Sequence, residues 1–195
     1  MEPLVIHPTA TAQWQALVLE AESAADRRLN EETESYLVFL LMRFMGEAGA
    51  AKKVLALDYL HAMNEMGRVR QGKLRDIGDL CLIHAGLFPV QAERRRVAVS
   101  YFVDLGRSAY LQLAGYLHNS AADTYVHLAQ DFIALMDVLQ NMRTLGGNST
   151  SLLGPLAAYD LWNDTGARHI YRSMCDGASA LPVKTSGGGG KQKSH

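Results

Sequence analysis

Residues 74–110, LRDIGDLCLIHAGLFPVQAERRRVAVSYFVDLGRSAY, decide the fold. Apolar residues recur there with the helical period, and alternating β-branched runs are missing. Two apolar helices are predicted to meet at a turn running from Gly86 to Pro89, since proline ends a preceding helix. Each helix carries polar residues inside a hydrophobic run: Asp79 and His84 in the first, Asp104 and Arg107 in the second. An unpaired buried charge costs several kcal/mol, roughly, so these groups are expected to be paired or used.

Working outward, the helical period continues nearly throughout. A first helix is predicted over about 11–29, with Trp14, Leu17, Val18, Ala21, Ala25 and Leu29 on one stripe. Gln15, Glu22 and Asp26 are expected to face away. Asn30 followed by Glu31, Glu32 and Glu34 reads as an N-cap and an acidic first turn. From Tyr36 to Met45 only Arg43 is polar, which predicts a central helix. A third helix, about 50–66, is expected to turn Leu55, Tyr59, Leu60, Met63 and Met66 inward. The helices of the opening stretch are predicted over about 73–85 and 92–118. Ser120-x-x-Asp123 resembles a capping box and starts a sixth helix running to about 145, with Asp123, His127, Gln130, Asp131, Asp137 and Asn141 on its outer stripe. Shorter helices follow at about 155–163 and 165–175. The sum is an all-α domain over 1–180, a bundle of seven or eight helices with the second, fourth and fifth at its centre. The PVKTSGGGGKQKSH end cannot bury enough apolar surface to order itself, so 181–195 is expected to be a disordered tail.

Composition narrows the function. The 195 residues carry a net charge of −1, which does not suggest binding to nucleic acid or to anionic membrane. No apolar stretch approaches the roughly 18–20 residues of a membrane span. The N-terminus MEPLVIHPTATAQ has neither the basic nor the apolar region of a signal peptide. The two cysteines, Cys81 and Cys175, belong to no metal or redox spacing, as suits reduced thiols in the cytoplasm. P-loop, GxGxxG, GxSxG, HExxH and zinc patterns are missing.

Asp79, His84, Tyr101, Asp104, Arg107 and Tyr110 form the candidate site. Ser100, Asp104, Ser108 and Gln112 recur every four residues as a polar ridge, and Asp104 and Arg107 are spaced to pair. Two readings stay open: a small-ligand pocket between the two central helices, or a satisfied buried network that sets helix register. Asp58-x-x-His61-x-x-x-Glu65 and Asp123-x-x-x-His127 evoke half of a di-metal bundle site. They lack the Glu-x-x-His motif and lie on polar faces, so no metal and no cofactor is expected. Cys81 and His84 are spaced like a thiol–imidazole pair, but in a segment read as buried. Gly78 and Gly106, inside apolar helices, are expected to admit another helix closely.

GDLCLIHAGLFP, RRRVAVSYFVDLGRSAY and YDLWNDTGARHIYR resemble a family of uncharacterised bacterial helical proteins. The matching positions are Gly78, Asp79, Gly86, Phe88, Tyr101, Phe102, Gly106, Ala109, Tyr110, Trp162, Thr165 and Gly166. The resemblance implies a helical fold and a bacterial source; it assigns no reaction and no functional residue. With no catalytic motif, the expectation is a non-catalytic cytoplasmic interaction or regulatory protein with a protein partner or a second copy of itself. The alternative is a small-ligand binder or an enzyme of unrecognised type.

Overall fold

Asn30 shows how closely local chemistry sets the helix starts: its side-chain oxygen accepts the Thr33 N–H at 2.8 Å. In the computed structural model, which describes residues 9–46, 55–90, 97–146 and 153–177, the chain is all-α. The helices are α1 (Ala10–Ala25), α2 (Glu31–Gly46), α3 (Leu55–Asn64), α4 (Gly67–Gly86), α5 (Val99–Ala114), α6 (Ser120–Gln130), α7 (Phe132–Leu145), α8 (Pro155–Thr165) and α9 (Arg168–Gly177). The expected tail, 181–195, lies outside the described residues.

The α4–α5 pair is the most extensive helix contact, and α7 packs on both α4 and α1. Two glycines make the close approaches possible. A Cβ at Gly78 would overlap the Tyr110 ring, and one at Gly106 would lie 2.6 Å from the Phe132 ring and 2.8 Å from Cys81 Cβ. Side chains there would force neighbours off their rotamers.

Several sequence expectations are corrected. The long sixth helix is two helices, broken at Asp131 (φ −87°, ψ 6°), whose N–H bonds the His127 carbonyl and whose carbonyl accepts from Leu135. The break sends α7 inward: Phe132, Leu135, Met136, Val138 and Leu139 are all fully buried. Asp137 and Asn141, expected on the outside, are buried with them. The α2 helix is not buried all round, because Phe39 is 62% exposed. In α3 the inner positions are Leu55 and Ala62; Leu60 and Met66 face solvent. The α4 helix starts at Gly67, six residues before the expected Lys73. Gly67 takes φ +56°, and Arg70 donates to the Met63 and Glu65 carbonyls, while Lys73 pairs with Glu65 at 2.6 Å. These contacts recruit a polar stretch that carries no apolar period of its own. At α6, Ser120 is the first helical residue, not the cap.

Candidate functional site

Asp79 sits at the meeting point of α2, α4 and α5, 2% exposed. One carboxylate oxygen accepts from both Tyr36 Oη and Tyr110 Oη, each at 2.7 Å. The other accepts from Arg43, the lone cation of the apolar α2 segment. Tyr36 and Tyr110 pack edge-on with centroids 6.4 Å apart, and Tyr125 of α6 touches both rings. Burial pushes the Asp79 carboxyl above the usual carboxylate range, against the opposing pull of Tyr36, Arg43 and Tyr110. Burial, and then the Asp79 charge, drive the Tyr36 and Tyr110 hydroxyls upward, so both remain neutral donors. Three donors on one carboxylate make a satisfied network that joins three helices.

Of the six candidate residues, Asp79 and Tyr110 are joined by a hydrogen bond. His84 is buried against the Phe102 ring, with centroids 5.5 Å apart. Tyr101 is 40% exposed and packs edge-on against Phe102. Asp104 and Arg107 lie on the exposed face of α5, where Arg107 Nε donates to the Ala129 carbonyl at 3.0 Å. The expected burial of these two charges is therefore corrected: the Ser100–Gln112 ridge is an outer edge of α5, and the helix buries Phe102, Val103, Gly106, Ala109, Tyr110 and Leu113 instead. No ion pair joins Asp104 to Arg107 among the described residues. Where Gly78 meets Tyr110 and Gly106 meets Cys81, α4 and α5 are in direct contact. Burial raises the Cys81 thiol well above its ordinary value, so it stays protonated and unreactive.

Asp58 and His61 line a small pocket of about 140 Å³ with Lys73 and Asp76. Among the described residues, no group of three or more His, Cys, Asp or Glu side chains could hold a metal ion. No described helix is long and apolar enough to cross a membrane.

The concave feature of interest lies elsewhere, where the middle of α1 meets the last turns of α2 and α7. It is a groove of about 710 Å³. Trp14 and Leu17 of α1 form one wall, and Met142 and Leu145 of α7 the other. Leu41 and Phe44 of α2, with Leu87 and Phe88 beyond α4, form the floor. Phe44 and Phe88 pack with tilted rings, centroids 5.9 Å apart. Glu20 and Arg143 are the charged members of the lining, one on each wall. Arg143 also donates to the Leu87 carbonyl at 3.4 Å, tying the end of α7 to the turn after α4. Both the volume and the apolar lining are those of a binding cleft.

Sequence reasoning missed a second buried carboxylate. Asp137 Oδ2 accepts from Arg27 Nε at 3.1 Å and Nη2 at 2.7 Å, and from the Arg168 backbone N–H at 3.3 Å. It thereby pins α1 and the start of α9 to α7. Its helical phase placed it on the polar stripe of a continuous helix, and only the break at Asp131 turns it inward. For Asp79 the signal was present: one acid in apolar α4 and one cation in apolar α2. Comparison with known proteins adds nothing to this geometry: no family model, no curated protein and no solved structure matches the chain.

Proposed function

We propose that this protein is a non-catalytic interaction module that takes an apolar segment of a polypeptide into the groove between α1 and α7. The observation that carries the reading is the lining: Trp14, Leu17, Phe44, Phe88, Met142 and Leu145 around about 710 Å³. An apolar surface of this kind, left concave, gains free energy when large side chains displace water from it. Glu20 and Arg143 on opposite walls give an incoming segment a preferred direction, because its own charges meet unlike partners in only one orientation. The buried polar groups have another role. Asp79 is already held by three protein donors, Tyr36 and Tyr110 on one oxygen and Arg43 on the other.

The test uses Trp14 as a built-in reporter. Peptides carrying two or three adjacent large apolar residues are titrated into the full chain while Trp14 emission is followed. Saturable binding is expected, and Leu17→Glu or Leu145→Glu is expected to abolish it. Both residues are already more than 40% exposed, so melting should hardly move. Binding that survives both charge substitutions, or no binding at millimolar peptide, rejects the reading.

A further inference from the structure

Glu20 is the one charge among the exposed residues of α1. Its neighbours one turn away on the helix, Ala16, Leu17, Ser23 and Ala24, are exposed too, and none is charged. A face that stays in water normally carries more charge than this. Leu17 is 43% exposed, and Leu145 on the opposite wall of the groove is 46% exposed. We infer that the groove's partner is a second copy of this chain, whose α1 lies in it while the first copy's α1 lies in the other groove. This rests on the binding reading above and specifies the segment bound.

Charge placement selects this occupant. Glu20 and Arg143 stand on opposite walls, and neither forms an ion pair among the described residues. The α1 and α7 helices run antiparallel, since Arg27 pairs with Asp137 while Trp14 and Leu145 share the groove. At about 1.5 Å per residue from that pair, Glu20 lies about 10 Å back along α1 and Arg143 about 9 Å on along α7. The two charges are therefore level. By the same count Leu17 and Leu145 stand about 15 and about 12 Å from the pair, within one turn of each other.

A two-fold axis parallel to the groove keeps every residue at its level and sets the α1 wall of one copy against the α7 wall of the other. Each Glu20 then meets the other copy's Arg143, and each Leu17 the other copy's Leu145. An axis crossing the groove at that level would instead set Glu20 against Glu20 and Arg143 against Arg143, and like charges brought together in this way cost affinity. One surface thus supplies both the helix that enters and the groove that receives it, which is what a self-complementary pairing requires.

The experiment is sedimentation equilibrium of the full chain, diluted from the millimolar to the micromolar range. A monomer–dimer equilibrium is expected. Glu20→Arg and Arg143→Glu, each alone, put like charges at both symmetric contacts and should weaken the dimer by at least about tenfold. Mixed in equal amounts, the two variants should form a heterodimer of near-parental strength, because position 20 of each copy then faces an opposite charge at position 143 of the other. Ala16→Glu, on the exposed side of α1 and outside the groove lining, should also yield a monomer, and one whose groove still takes an apolar peptide. A parent that stays monomeric at millimolar concentration overturns the second copy as occupant. So do single reversals that leave the dimer unchanged, or a mixture that does not regain it. Failure of the binding reading looks different: the monomeric Ala16→Glu chain binds no apolar peptide.

Discussion

The α4–α5 interface and the groove between α1 and α7 are built from the same residue types and end in opposite states. At the first, glycines let the helices approach until Tyr110 lies on Gly78 and Cys81 on Gly106. The carboxylate buried there, Asp79, finds three donors. At the second, α1 and α7 pack together, yet Trp14, Phe44 and Met142 are left half-buried around open space. The difference teaches that apolar content alone does not decide whether every part of a helical face closes: glycines let α4 and α5 meet along their length, while the larger side chains of the groove leave space between them. It also separates the roles we propose: the closed interface for stability, the open groove for binding.

The largest break in that contrast should come from Asp79→Ala. It strands two tyrosine hydroxyls and Arg43 without their acceptor, and removing one partner of a buried pair costs about 3–5 kcal/mol. Urea unfolding followed by circular dichroism measures this, and the groove's peptide affinity should be unchanged under conditions where the variant is folded. Gly78→Ala comes next. Its methyl overlaps the Tyr110 ring, an overpacking worth about 1–3 kcal/mol. The matched Gly72→Ala, also within α4 but with nothing within 4 Å, should instead stabilise by about 0.5–1 kcal/mol. Equal effects at the two glycines would remove close approach as the cause.

Glu22→Gln sharpens the comparison through pH. Burial raises the Glu22 carboxyl above its ordinary 4.5, although the Leu29 N–H it accepts at 3.1 Å pulls the other way. A raised carboxyl contributes stability below its unfolded-state value and loses that contribution as pH rises through its folded-state value. Glutamine keeps the acceptor without the charge. The variant should therefore be more stable than the parent at pH 7, with the gain vanishing as pH falls below about 4.5. The smallest effect is expected from Asp104→Asn, within about 0.5 kcal/mol, since Asp104 is exposed on the outer edge of α5. A loss of several kcal/mol there would mean that Asp104 is buried after all.

Asp79 and Asp104 also show what the sequence could and could not convey. Both lie within two residues of a glycine in an apolar helix, and both read as buried. The structure buries one and exposes the other, because burial depends on which face of α5 meets α4. The helix types, the Asn30 cap and the close-approach glycines were legible, since each rests on local chemistry. The break at Asp131 was not: apolar periodicity runs through it without a proline or glycine to mark it. That single turn hid Asp137, its Arg27 partner and the far wall of the groove. Trp14 and Leu17 were placed correctly on the apolar stripe of α1, but a stripe cannot reveal that part of it faces a cleft. Such a void arises only when three distant segments are arranged around it.

The carboxylate of Asp137 joins residues made at very different times. Arg27 leaves the ribosome 110 residues before it, and the Arg168 N–H follows 31 residues after. At about 5–20 residues per second, α1 waits roughly 5–20 s for the aspartate it clasps, and a few seconds more for the strap to α9. During that interval the faces of Val18 and Ala21, buried in the finished protein, lack the α7 surface they pack against. The newborn chain therefore has a window of exposure written into its order of synthesis, and shielding of α1 by chaperones would matter most before residue 137 emerges.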